Sequence, residues 1–129
     1  MRRLNAVEVA AYDLVTPDIA RRAFVQKVPV LPRGAAGMTI GRFVFVLRDD
    51  VRDGSSQLLA HELVHVEQYR RQGYLPFSAR YLWHYGHGIV RLRSHRRAYR
   101  AIPAEVEAYD AAAIWVKARR DRARGASTT

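Results

Sequence analysis

The chain contains no cysteine, which excludes a disulfide framework and any metal site built from thiolates. It has no apolar run approaching the roughly 18 residues that span a bilayer. Its first residues also lack the apolar segment of a secretory signal. These absences predict a soluble cytoplasmic protein without a transmembrane segment. Any metal ion would have to be held by histidine, carboxylate and water.

Lysine is scarce: of the 22 basic residues, only Lys27 and Lys117 are lysines and the rest are arginines. The net charge is +10. Such an excess attracts polyanions over long distances. The ordinary interpretation is a solvated basic face with a basic C-terminal tail. The alternatives are nucleic acid, anionic lipid or an acidic protein partner. The basic residues are concentrated in two arginine clusters: Arg91, Arg93, Arg96, Arg97 and Arg100, and then Arg119, Arg120, Arg122 and Arg124.

The length of 129 residues and the hydrophobic content of 49% are those of one ordinary domain, able to form a core without help from a metal. We find no internal repeat and no long linker. The prediction is a single domain over residues 1–129, with its core at about 17–123 and a basic tail at about 118–129.

Hydrophobic periodicity predicts an α+β protein in which a short sheet precedes three helices. The sheet would come from a brief edge strand at 28–31 and from one or two strands within 38–47, where Gly41 breaks the alternation. Asp53 or Ser55 is available to cap the helix that follows. The predicted helices are a short one at about 17–26 and three longer ones at about 55–72, 76–92 and 103–123.

The most informative motif is His61-Glu62-Leu63-Val64-His65. Histidines four residues apart lie on one face of a helix and can bind one cation together. HExxH on a helix is typical of zinc hydrolases, in which the glutamate acts as general base on water. The motif therefore predicts one Zn2+ bound by His61 and His65, with Glu62 as the catalytic residue.

A catalytic zinc normally has three protein ligands, so a third has to be found. The metzincin extension of the motif requires glycine at 68 and histidine at 71, where this chain has Gln68 and Arg71. Glu105 is one candidate, because it lies in the first turn of the last predicted helix, where the helix dipole favours a carboxylate. His87, in Gly86-His87-Gly88, is the alternative. Glu107 is a lesser option.

The segment Glu105-Val106-Glu107-Ala108-Tyr109 resembles the ExxxD or ExxAD stretch of the gluzincins, the thermolysin-like metallopeptidases, with tyrosine in place of the usual aspartate. More specifically, HELVHVEQYRRQGYLPF and AYRAIPAEVEAY resemble a group of small bacterial proteins with the pattern HELxHxxQ and AYRxIPxExEA, over roughly residues 38–113. The resemblance implies a minimal zincin-like domain with zinc on His61, His65 and Glu105. The GHG segment at 86–88 is instead similar to SprT-type proteases, which act on DNA–protein crosslinks.

Three further residues are candidates for a supporting role. Gln68 lies close enough to His65 along the helix to contact the site, and Tyr99 or Tyr109 could stabilise an oxyanion or orient a ligand.

The resulting prediction is a zinc metallopeptidase that hydrolyses a peptide or protein substrate, which could add to a free strand edge within Phe43–Leu47. The alternatives are a non-catalytic zinc-binding module of a larger bacterial assembly and a protease associated with nucleic acid through the arginines.

Overall fold

The structure is a computed structural model that describes residues 1–127, except for the side chains of four of them (Arg33, His95, Ala126 and Ser127). The last two residues of the predicted basic tail lie outside the described residues. The described residues form a short 3-10 helix (Pro32–Gly34), four strands and six α-helices: β1 (Arg2–Arg3), α1 (Ala6–Ala11), α2 (Pro17–Arg22), β2 (Phe24–Lys27), β3 (Gly37–Ile40), β4 (Phe43–Val46), α3 (Gln57–Gln72), α4 (Tyr74–Leu92), α5 (His95–Ala101) and α6 (Pro103–Ser127).

The four strands form one sheet in the order β1-β2-β4-β3. The pair β2 and β4 is parallel, whereas β1 pairs with β2 and β3 pairs with β4 in antiparallel orientation. Val25, Val44 and Val46 are buried in the core against apolar side chains of α3, which include Leu59 and Leu63. The predicted α+β class is confirmed.

Strand β4 is interior, so the prediction that residues 43–47 offer a free edge is wrong. Its two neighbours are β2 and β3. The sequence Phe-Val-Phe-Val is apolar on both faces, which is typical of an interior strand. The edges of the sheet are β1 and β3 instead. Gly41 has φ +64° in the turn that separates β3 from β4, which explains why two strands form here rather than one.

The first predicted helix ends earlier than expected. Thr16 caps it by accepting a hydrogen bond from the Ile19 N–H, and Pro17 occupies its first turn, as expected for a helix start. The chain turns to extended backbone at Ala23 and continues as β2. The strand expected at 28–31 is therefore formed four residues earlier, with Val25 buried in the core.

Helix α3 carries the HExxH motif and lies close to the predicted bounds. Its cap is Ser56, which accepts a hydrogen bond from the Leu59 N–H, rather than Asp53 or Ser55. The helix ends at Gly73, whose φ of 87° is a conformation that glycine adopts without a steric penalty. Because α4 begins at the next residue, α3 and α4 are joined by a single-residue turn.

The helices after α3 include one that the sequence pattern did not indicate. Helix α5 follows a left-handed Arg93 and is capped by Ser94. Its Ala98 lies 3.1 Å from where a Cβ on Gly88 of α4 would stand, so a glycine at 88 permits the close approach of the two helices. Helix α6 continues beyond 123 to Ser127, through most of the segment predicted as a tail.

The residues before 17 contribute to the core as well. Leu4 and Tyr12 are buried there. Arg2 joins the sheet to α1 through an N-terminal clamp, which comprises Arg2, Glu8 and Asp49. Its guanidinium lies 2.7 Å from Glu8 Oε1 and 2.7 Å from Asp49 Oδ1. Among the described helices, none is long and apolar enough to cross a membrane.

Candidate metal centre

Three side chains converge at the interface between α3 and α6. Glu105 Oε1 lies 2.9 Å from His61 Nε2 and 2.7 Å from His65 Nε2, and the two imidazole nitrogens are 3.2 Å apart. All three residues are buried. Two imidazoles and one carboxylate facing a common point form a set of ligands that could hold a metal ion.

The two helices present these ligands for local reasons. His61 and His65 are one turn apart on α3, so their rings point the same way. Glu105 lies in the first turn of α6, which Pro103 begins. Further along α6, Ala108 and Ala112 are fully or almost fully buried, and their small side chains allow α6 to pack closely on α3. This packing brings the carboxylate to the histidines.

Gln68 fixes the orientation of His65. Its Oε1 lies 2.7 Å from His65 Nδ1, and its amide nitrogen donates to the carbonyl of Ala104 and to the carboxylate of Glu107. Since the amide oxygen only accepts, His65 Nδ1 must carry the proton. In the neutral ring, Nε2 therefore presents a lone pair toward Glu105 Oε1.

A lone pair that faces a buried carboxylate at 2.7 Å is stable only if a cation, either a proton or a metal ion, lies between the two atoms. The electrostatics agree with this requirement. Burial by itself lowers the pKa of His65, but contact with Glu105 outweighs burial and raises that pKa overall. Burial alone would raise the pKa of Glu105, whereas hydrogen bonds with His61 and His65 lower it. A proton shared with Glu105 would meet this requirement, and the same three ligand atoms, two imidazole nitrogens and one carboxylate oxygen, are also a donor set that could hold a metal ion.

The carboxylate of Glu105 is also held by two tyrosines. Tyr81 donates its hydroxyl to Glu105 Oε2 at 2.7 Å, and the Tyr99 side chain also hydrogen-bonds to this carboxylate. Burial, and then the nearby carboxylate, raise the pKa of both tyrosines. Both hydroxyls therefore remain protonated and act as donors that orient Glu105.

Glu62 lies beside the cluster and is buried. Thr39 of β3 donates its hydroxyl to Glu62 Oε2 at 2.6 Å, which links the motif helix to the edge strand. Burial raises the pKa of Glu62, although the two histidines and Thr39 oppose that effect. A Cβ on Gly37 would lie 3.2 Å from Glu62 Oε1 and 3.0 Å from Leu58. Residue 37 therefore has little room for a side chain.

The other predicted site residues take different positions. The ring of Tyr109 packs on His61 with centroids 4.4 Å apart. Glu107 receives hydrogen bonds from Gln68 and Arg71, so it contacts the supporting residues rather than the ligands. His87 is exposed on α4 and stacks on Trp83. Among the described residues, the structure does not bring His87 to the cluster.

Two contacts of the site were not predicted. Tyr81 comes one turn after Phe77 on α4, and an aromatic residue at that spacing on a helix is ordinarily expected to pack in the core. Its position beside the motif depends on the sharp turn at Gly73. Thr39 reaches Glu62 across 23 residues of sequence, and no local pattern indicates that pairing.

The second arginine cluster has contacts within the fold. Arg119 donates to the Gly54 carbonyl and lies over the ring of Trp115. Arg122 pairs with Asp13 at 3.5 Å. These contacts attach α6 to the N-terminal part of the molecule. They account for part of the basic charge without an external partner.

The geometry defines a candidate metal-binding site on an HExxH helix. A family model described as the eCIS core domain matches residues 32–73. The matched segment comprises β3, β4 and all of α3, so it includes His61, Glu62 and His65 but not Glu105. No curated protein and no solved structure matches the chain.

Proposed function

We propose that this chain is a zinc-binding domain that acts in a larger bacterial assembly of the contractile injection type, and that its zinc site hydrolyses peptide bonds. The observation that carries the zinc site is the convergence of His61, His65 and Glu105 with the protonation of His65 set by Gln68. Tetrahedral zinc, at about 2.0–2.1 Å from each ligand, separates ligand atoms by roughly 3.3 Å. The two imidazole nitrogens, 3.2 Å apart, are close to that value, whereas Glu105 Oε1 lies at hydrogen-bond distances of 2.7 and 2.9 Å from them.

The family description supports the assembly. The eCIS core domain takes its name from contractile injection systems, and its model covers the segment that carries both histidine ligands.

Hydrolysis is supported by the position of Glu62. Zinc bound by the three ligands would polarise a carbonyl and activate water. Glu62 would take the proton from the attacking water and transfer it to the leaving amine. Thr39 holds one oxygen of that carboxylate, which restricts its rotation. Tyr81 in turn holds one oxygen of Glu105. The carboxylates of Glu62 and Glu105 are therefore each oriented by a hydroxyl of their own. An extended peptide would pair with the edge strand β3, which lies beside Glu62.

Zinc binding is tested by elemental mass spectrometry on protein purified without a histidine tag. We expect one zinc per chain in the wild type and in His87→Ala, and loss of zinc in Glu105→Ala. His87→Ala is the matched control, because it removes a histidine that is exposed on α4. Zinc retained by Glu105→Ala, or absent from the reconstituted wild type, would contradict the site.

Hydrolysis is tested with a peptide library and the variant Glu62→Gln. We expect this variant to keep its zinc and to lose activity by about 10²- to 10⁴-fold, the usual contribution of a general base. Glu67→Gln is the control, since Glu67 lies on the same helix and pairs with Arg71 at 3.7 Å. Full turnover by Glu62→Gln would exclude this mechanism. Zinc without hydrolysis by the wild type, together with co-purification on contractile particles, would indicate a non-catalytic module instead.

A further inference from the structure

Helix α4 has two different faces. The inner face contributes Phe77 to the buried residues and Tyr81 to the metal centre. The outer face carries an apolar stripe that falls within an arc of about 100° at 100° per residue and is exposed throughout: Leu75, Ala79, Leu82, Trp83, Gly86 and Val90. These positions span about 22 Å at 1.5 Å per residue.

The stripe is open and convex. Leu75 and Val90, near its two ends, are 75% and 80% exposed, and Leu82 and Trp83 between them are 67% and 68% exposed. A Cβ on Gly86 would meet no atom within 4 Å. Large apolar side chains grouped in this way indicate a contact surface rather than scattered surface residues. A ridge of this shape suits a flat, deformable surface better than it suits a protein pocket.

The charge around the stripe has one sign. From residue 68 to residue 104 the sequence has no aspartate or glutamate and eight arginines. Arg80 and Arg91 flank the stripe on α4, and Arg96 and Arg97 are exposed on the neighbouring α5. The ring of Trp83 stacks on His87 at 6.1 Å, between the aliphatic residues and the arginines. Across this face the side chains change from aliphatic to aromatic to cationic. An anionic bilayer surface changes in the same order, from the acyl chains through the interface to the charged headgroups.

We propose that the outer face of α4 binds an anionic phospholipid surface, with Leu75, Leu82 and Val90 entering the acyl boundary and the arginines contacting headgroup phosphates. A second copy of the chain is disfavoured, because two arginine-rich faces without carboxylates repel each other. Nucleic acid would use the arginines but leaves the aliphatic stripe without a partner. The proposal is independent of the metal site, which lies on the other face of α4.

The full chain is mixed with vesicles of phosphatidylcholine containing phosphatidylglycerol, and with vesicles of phosphatidylcholine alone. We expect sedimentation with the anionic vesicles only, decreasing as salt increases. The variant Leu82→Asn/Trp83→Ser should lower the partition coefficient by at least about 10-fold, since it removes two apolar side chains from the boundary. Ile114→Asn, which removes a residue 71% exposed on α6, is the matched control and should bind like the wild type.

Tryptophan fluorescence provides a second readout. Trp115 is buried in the core and Trp83 is exposed, so a blue shift on addition of vesicles reports on Trp83. Trp83→Phe should keep binding and lose the shift. The proposal is overturned if the wild type does not bind anionic vesicles. It is also overturned if Leu82→Asn/Trp83→Ser binds as well as the wild type while Arg80→Gln/Arg91→Gln does not, because generic attraction to polyanions would then explain the binding.

Discussion

The N-terminal clamp, which is partly buried, and the candidate metal centre, which is buried, are both clusters of charged residues, yet their charges are balanced in different ways. In the clamp, the guanidinium of Arg2 donates to both Glu8 and Asp49, so donors and acceptors match within the protein. In the metal centre, His65 Nε2 and Glu105 Oε1 face each other at 2.7 Å, and both are acceptors when the ring is neutral. The first cluster is complete as folded, whereas the second requires either a proton or a metal ion between these two atoms.

The two clusters also differ in the origin of their residues. Arg2 and Glu8 are six residues apart, and the contact to Asp49 spans 47 residues. The metal centre combines a local pair on α3 with one carboxylate 40 and 44 residues away. The comparison indicates that a charged cluster should be assigned to structure or to ligand binding by its donor count rather than by its burial.

The largest expected effect comes from opening the clamp. Arg2→Met leaves Glu8 and Asp49 without their shared cation. Breaking a fully buried ion pair costs about 3 kcal/mol or more, and because Arg2 is partly exposed we expect a loss of up to about 3 kcal/mol of unfolding free energy. Urea denaturation measures this loss, and zinc content should not change. Arg3→Met is the control, because Arg3 is exposed and lies over the Phe24 ring, an interaction on the order of 1 kcal/mol or less. Loss of zinc in Arg2→Met would show that the two clusters are not independent.

A smaller effect is expected from Gln68→Ala, which releases His65 Nδ1 without removing a ligand. Loss of such a supporting hydrogen bond typically lowers metal affinity by about 10- to 100-fold. Competition with a chromophoric chelator measures the affinity. Gln72→Ala, one turn further along α3, is the matched control. Equal affinity in the two variants would show that Gln68 does not orient the ring.

The smallest effect concerns pH. Hydrogen bonds from Arg2 lower the pKa of Asp49 in the fold, although burial opposes them. A carboxylate of this kind stabilises the fold above its unfolded pKa of about 3.9, and that contribution is lost as pH falls through the lower folded value. Between about pH 5 and pH 2, metal-free wild type should lose on the order of 1 kcal/mol more unfolding free energy than Asp49→Asn. Parallel curves for the two proteins would contradict the assignment.

Residues with strong local signals were the most predictable part of the site. HExxH identifies two of the clustered residues through helical spacing alone, and Pro103 before a carboxylate indicates where α6 begins. The α+β class was also predicted from periodicity. The order of the strands was not predicted. Strands β2 and β4 are neighbours in the sheet although β3 lies between them in the sequence, and pairing between distant segments leaves no local pattern.

Short elements were predicted least well. Helix α5 has seven residues and three arginines, so it shows little hydrophobic periodicity, and it forms because Ala98 packs against Gly88. Strand β2 follows α2 after a single residue. In both cases tertiary packing decides the local structure. The roles of Tyr81 and Thr39 depend on the same long-range contacts, which is why these two residues were missed.

The distance along the chain between Glu105 and the histidines also sets an order of events during synthesis. A ribosome exposes α3, with both imidazoles and Glu62, before it has made α6. The carboxylate arrives at least 40 residues later. The three-residue cluster therefore forms only after α6 has been translated and has packed on α3. Until then the nascent protein contains the motif but not the cluster, so its synthesis includes a built-in delay before the site can be complete.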